Sequence, residues 1–222
     1  LICHLLYYNK PMKLTKYEHA CFTLEKEGKL IVVDPGDLTT DLPAFDNVIG
    51  IVITHEHQDH FDIKNIERLV SNNPGVIVVS HAGIADQIKL TTSKSVEAGD
   101  SFELGPFVLE FFGGEHEKPF EDSPVMKNLG VLINKKVYHA GDSFVPPSKP
   151  VHVLLLPVSG SWMKASMARD YLYSIAPSIA IPTHDAILSG VGKKQVDKYW
   201  PIHCEKIGTS YVRPNGPIEI DG

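Results

Sequence analysis

Between Val48 and Ile53 the chain reads Val-Ile-Gly-Ile-Val-Ile, and it continues without a break into Thr54-His55-Glu56-His57-Gln58-Asp59-His60. The first six residues are β-branched apart from one glycine, short, and without helical period, which predicts a strand buried in the core of a sheet. Three imidazoles and two carboxylates then follow within six positions at the end of that strand. Packing has no use for such a cluster, whereas metal binding does: imidazole suits zinc, iron and manganese, and a carboxylate can bridge two ions. A shuffled chain of this composition would contain His-x-His-x-Asp-His only about 0.002 times, so the pattern is specific. On extended backbone His55 and His57 face the same side, and Glu56, between them, faces away and is not expected to bind metal.

Further ligand types sit in the same structural niche. His116 follows the strand-like Phe107–Phe112 through Gly113-Gly114-Glu115. Asp142 lies in Val137-Tyr138-His139-Ala140-Gly141-Asp142-Ser143, and His184 ends the β-rich run that starts at Ser178. Each is where a strand gives way to a loop, a common location for sites because the sheet supplies rigidity and the loop supplies reach.

With these motifs in order, the chain resembles the metallo-β-lactamase superfamily of metal-dependent hydrolases. The first of its five motifs matches the strand-terminal acid of Ile31-Val32-Val33-Asp34-Pro35-Gly36, the second His55, His57, Asp59 and His60, the third His116, the fourth Asp142 and the fifth His184. The match runs from about Met12 to the C-terminus. Within the superfamily the chain looks most like the small, single-domain branch that includes ascorbate-6-phosphate lactonase-like proteins, through Glu18-His19-Ala20-Cys21-Phe22, His139–Ser143 and Ile181-Pro182-Thr183-His184. The resemblance implies an α/β fold, a four-layer αββα sandwich. It also implies two divalent ions, zinc or manganese before iron, one on His55, His57 and His116 and the other on Asp59, His60 and His184, with Asp142 bridging. The implied reaction is hydrolysis of a small ester, lactone or phosphodiester by a metal-bridging hydroxide; beyond the resemblance, Asp59 is expected to orient that hydroxide and relay a proton to the leaving group. A mononuclear iron dioxygenase of the persulfide type and a catalytically silent metal-binding sensor are the alternatives.

Departures from relatives narrow the chemistry. Lactamases often place a cysteine in the second site, but Asp142 stands at the fourth motif and Cys3, Cys21 and Cys204 fall outside every motif. Diiron flavoproteins carry glutamate where His57 stands. Nuclease relatives insert a domain between the fourth and fifth motifs, and only 41 residues separate Asp142 from His184.

The 222 residues suit one domain, residues 12–222, with residues 1–11 as an upstream extension or expression remnant. A net charge of −6 and the absence of a long basic run argue against nucleic acid as partner. No apolar run is long enough for a membrane span, so the expected partner is a small-molecule substrate, and such folds often self-associate into homo-oligomers. Three irregularly spaced cysteines favour a reducing, cytoplasmic location.

A coarse reading places strands at Met12–Tyr17, Cys21–Glu25, Lys29–Asp34, Val76–Ser80, Ser101–Leu104, Phe107–Phe112, Val131–Ile133, Lys136–His139 and Val151–Leu156. One helix starts at an Asp62 cap with Ile63, Ile66 and Val70 on one face, a short one covers Ile84–Leu90, and another shows Ala165, Ala168, Leu172 and Ile175. Among the remaining polar groups, His19 is expected to support the ligands from behind, touch substrate, or lie at the surface. Asp34 is expected to hold loop geometry by hydrogen bonds, and Asp185 to orient His184 or end its strand. Trp162 either walls a substrate pocket or packs in the core. His139 reads as structural, His81 as a turn residue, and His4, His152 and His203 show no ligand context.

Overall fold

Apolar residues on both faces of the central strands require cover on both sides, and the fold supplies it in four layers. The structure is a computed structural model that describes residues 10–221. Residues 1–9 of the expected extension, with Cys3 and His4, lie outside the described residues.

The first sheet holds β1 (Met12–Lys16), β2 (Phe22–Lys26), β3 (Lys29–Val33), β4 (Val48–Val52), β5 (Ile77–Ser80) and β6 (Ser93–Ser95) in that spatial order, with β14 (Ile218–Ile220) on the outer edge of β1. The second runs β13-β12-β11-β10-β9-β8-β7, from Ser210–Tyr211 through Ile179–Thr183, Val153–Pro157, Val137–His139, Lys127–Ile133 and Phe107–Glu115 to Ser101–Leu104. Strands β3, β4, β5 and β6 are parallel, as are β10 to β13, so each sheet sends several strand ends toward the same rim.

Alternation along the strands sorts the apolar side chains into layers. Ile31 and Val33 of β3 and Val153 and Leu155 of β11 meet between the sheets, with Phe22, Phe107, Phe111, Val131 and Ile181. The intervening Leu30, Val32, Leu154 and Leu156 face outward and are covered by helices. Helices α1 (Ile63–Asn72) and α2 (Ala82–Ala85) pack on the first sheet through Ile66, Leu69 and Ile84. Helices α3 (Ala165–Ile175) and α4 (Gly190–Glu205) pack on the second through Ala168, Leu172, Val196 and Trp200. The expected αββα sandwich is borne out. No helix of the described residues is long and apolar enough to cross a membrane.

Two local expectations need correction, and one helix is added. The Asp62 cap is present, its carboxylate accepting from the Asn65 N–H at 3.1 Å, but the buried face of α1 is Asn65, Ile66 and Leu69, while Ile63 is 45% exposed. The short helix expected at Ile84–Leu90 covers Ala82–Ala85. Helix α4 was not expected at all: Gly190, Gly192 and Pro201 break its pattern, and its stability comes from burying Val196, Trp200 and Cys204 on the sheet.

Candidate metal centre

Five strand ends converge on one rim of the sandwich: β3 delivers Asp34, β4 the segment Thr54–His60, β8 His116, β10 Asp142 and β12 His184. Two clusters result. In the first, ligand atoms of His55, His57, His116 and Asp142 lie within 4.8 Å of one another, and in the second those of His19, Asp59, His60 and His184 do. Asp142 stands between them. Its Oδ2 is 3.3 Å from His116 Nε2 and 3.0 Å from His184 Nε2, and its Oδ1 is 3.1 Å from His60 Nε2. All seven residues singled out as ligands are therefore brought together, and His19 joins them.

The imidazoles are oriented from behind, which fixes the nitrogen that each turns to the centre. His184 Nδ1–H donates to the Ser159 carbonyl at 2.6 Å, and His116 Nδ1–H to the Glu117 carbonyl. His60 Nδ1–H donates to Asp34 Oδ2 at 2.7 Å. Thr54 Oγ1–H also donates to Asp34 Oδ2, at 2.7 Å, and so is free to accept from His55 Nδ1–H at 3.1 Å. His139 Nε2–H (2.8 Å) and the Thr54 N–H (2.8 Å) complete the shell of this fully buried carboxylate. Asp34 thus orients a histidine of each cluster, His60 directly and His55 through Thr54. His55 Nε2 and His57 Nδ1 lie 3.1 Å apart.

Backbone packing sets the loops. A Cβ on Gly36 would lie 1.9 Å from the Asp59 carbonyl oxygen, so the ligand loop rests directly on residue 36. Gly141, at φ +63°, leaves no room for a side chain against Asn128 and Thr54. The buried Asn128 amide donates to the Ala140 carbonyl at 2.7 Å and accepts from the Asp142 N–H at 3.0 Å, pinning the Asp142 turn to β9. Thr54 and Asn128 escaped the sequence reading because a lone threonine or asparagine carries no pattern; only the fold shows what it holds.

Burial and charge act in opposition here. Burial works against the Asp142 charge, but His60 and His184 outweigh it and hold the carboxyl well below the usual range. Burial likewise opposes ionisation of Asp59, and the neighbouring imidazoles of His184 and His19 outweigh it, so Asp59 also stays ionised. Burial pushes His55 well down and lowers His57 and His19 as well, leaving all three neutral. For His184 the carboxylate of Asp142 overcomes burial and raises the imidazole to about 9.

Metal chemistry fits the polar atoms left over. The Nε2 atoms of His60, His116 and His184 and Oδ1 of Asp142 are buried without a hydrogen-bond partner. Buried polar atoms are normally paired, so four unpaired donor atoms facing one space call for a cation. His19 accepts from the Ala186 N–H at Nδ1 (3.3 Å), so its Nε2–H donates to Asp59 Oδ2 at 2.9 Å.

The other candidates find separate places. Glu56 points away from the centre and pairs with His81 at 3.1 Å. Asp185 pairs with Arg213, which also holds Asp197 at 2.8 Å. His203 meets the Tyr173 hydroxyl at 2.9 Å. Trp162 is both packed and in the wall: its ring lies 5.8 Å from His116 and 5.6 Å from His184, one histidine of each cluster, and it lines a cleft of about 320 Å³ that opens on the centre.

Residues 13–184 match the family model described as the beta-lactamase superfamily domain. The chain is similar to a Mycobacterium tuberculosis protein, Rv0786c, 31% identical over 80% of this chain and 86% of the relative. It is also similar to a UPF0173 metal-dependent hydrolase of Aeropyrum pernix, 32% identical over 78% and 81%. Among solved structures, Igni18, a metallo hydrolase from Ignicoccus hospitalis, superposes with a TM-score of 0.70 at 20% identity, over 96% of this chain and 99% of that one. Whether this chain shares the ascorbate-6-phosphate lactonase branch finds no support in these likenesses, but the sandwich, the ordered motifs and the family match agree: the chain belongs to the metallo-β-lactamase superfamily of metal-dependent hydrolases.

Proposed function

We propose that the chain hydrolyses a small ester, lactone or phosphodiester with the help of two divalent cations, one held by His55, His57 and His116, the other by Asp59, His60 and His184, with Asp142 shared. The observation that carries this reading is the convergence of buried, unpaired ligand atoms on both sides of the Asp142 carboxylate. Zinc and manganese suit the imidazole and carboxylate set. Such ions, when bound, acidify water and offset the negative charge that develops on the attacked group.

The residues around them supply position and proton transfer. The Trp162 ring closes one wall of the cleft beside both clusters and excludes water from that side. Asp59 lines the cleft with its side chain 27% exposed, and His19 holds Oδ2 from behind. Its carboxylate accepts the proton of the attacking water and returns it to the leaving oxygen. His19 keeps that carboxylate from rotating away.

Two measurements test the reading. Elemental mass spectrometry on the purified protein should find about two zinc or manganese ions per chain, and one iron per chain would overturn it. Replacing Asp59 by asparagine should lower kcat on the best substrate of an ester, lactone and phosphodiester panel by about 10²–10⁴-fold with KM little changed. Unchanged kcat would remove Asp59 from proton transfer.

A further inference from the structure

The cleft over the centre has a composition that discriminates among those substrates. Beyond the ligand residues its described lining is Pro119, Pro124, Met126, Trp162 and Ile187, with Ser123, Ser161, Gly160 and Glu117. No lysine or arginine is among the described residues that line it, and the one charge added by the lining outside the ligand set is the negative Glu117. Lys118 is exposed and does not line the cleft. The segment that supplies Pro119, Pro124 and Met126 also exposes Phe120 (72%) and Val125 (59%), and Ile187, on the facing loop, is 58% exposed.

A phosphate or carboxylate handle on the part of a substrate remote from the reacting bond would lose its hydration here without gaining a cationic partner, and Glu117 would repel it. An alkyl chain would instead exchange water for Met126, Trp162, Pro124 and Ile187. We infer that the substrate is an uncharged carboxylic ester or lactone whose remote part is apolar and lies in this chamber. The inference rests on the hydrolase reading above. In the reaction a bond forms between the water oxygen and the acyl carbon and the acyl carbon–oxygen bond of the ester breaks. The water proton ends on the leaving alcohol, or on the ring-opened hydroxyl of a lactone.

The test compares two esters with the same reacting bond and chain length on the metal-loaded protein: p-nitrophenyl hexanoate and the mono-p-nitrophenyl ester of adipic acid, which differ only in a terminal carboxylate. The neutral ester should show a kcat/KM at least about tenfold higher. Ile187→Lys, which places a cation at the mouth, should narrow that ratio at least about threefold. A ratio at or below one overturns the inference and leaves the hydrolase reading standing, as does metal-dependent turnover confined to bis(p-nitrophenyl) phosphate.

A binding readout separates the two failures. The chain has two tryptophans, so in a Trp200→Phe variant the emission reports Trp162 in the chamber wall. Methyl hexanoate should perturb it with a dissociation constant at least about tenfold below that of monomethyl adipate. Tighter or equal binding of the adipate overturns the inference, whereas absence of metal-dependent turnover with all substrates, alongside the expected binding preference, overturns the hydrolase reading and leaves only the preference of the chamber for an uncharged apolar ligand.

Discussion

Asparagine in place of Asp34 separates support of the metal centre from ordinary stability. The Asp34 carboxylate accepts four hydrogen bonds at 2.7–2.8 Å, three on Oδ2 from Thr54 Oγ1, His60 and His139, and one on Oδ1 from the Thr54 N–H. An asparagine would best turn its carbonyl to the three donors, which sets its NH₂ against the Thr54 N–H. One charge-assisted bond is then lost and three become neutral. With a hydrogen bond to a charged group worth about 1.5–3 kcal/mol, a loss of about 3 kcal/mol is expected. For a chain of this size that lowers the midpoint of thermal unfolding by about 6–12 °C.

A second effect reaches the centre. His60 would lose the carboxylate that fixes its Nδ1–H, and His55 the relay through Thr54. Loss of such an outer partner typically costs 10–100-fold in metal affinity, or about 1.4–2.7 kcal/mol. The assay is competition for zinc against a chromophoric chelator, run beside urea unfolding of the metal-free protein. His139→Gln serves as the control, since it bonds the same carboxylate but no ligand of the centre, its ring only stacking on that of His60 at 6.4 Å, and it should lower stability while leaving zinc affinity within about threefold. An Asp34→Asn protein that is less stable yet binds zinc as tightly as the parent would refute the relay.

Close packing makes a sharper prediction at Gly36. Alanine there must displace the Asp59 backbone, so kcat/KM should fall by at least about 10²-fold while far-UV circular dichroism stays unchanged; full activity would mean that the loop position is not critical. The described cysteines should be inert in the native state. Burial pushes the Cys21 thiol up to about 12 and Cys204 up to about 11, so iodoacetamide at pH 8 should leave Cys21 unmodified until denaturant is added. The same shift sets a pH dependence. Because the unfolded thiol ionises near pH 9 while the folded one holds its proton, folding stability falls as pH rises from about 9 to 12, and Cys21→Ala should reduce that loss. An identical alkaline decline in the variant would assign it elsewhere.

The parts of the fold that were legible are those where a local pattern repeats a structural period. The apolar runs at Leu30–Val33, Val48–Val52 and Val153–Leu156 announce strands covered on both faces, and the strands are there. Helix α4 and the edge strands β6, β13 and β14 were not legible: they are short or interrupted by glycine and proline, and partners distant in sequence stabilise them.

At the centre the same division holds. Local chemistry, histidine and aspartate spaced along strand ends, suffices to name seven candidate ligands, because nothing else requires that spacing. Which nitrogen His60 and His184 present depends on Asp34 and the Ser159 carbonyl, 26 and 25 positions away, and the Asp142 turn is held by Asn128, 14 positions away. The placement of His19 also belongs to the tertiary structure, since 40 positions separate it from Asp59 and 167 from Ala186. So does the apolar chamber, whose walls come from three segments that share no local pattern. A sequence writes down the groups that can bind a metal. The directions of their lone pairs, and the surface offered to a substrate, exist only once two sheets have closed on each other.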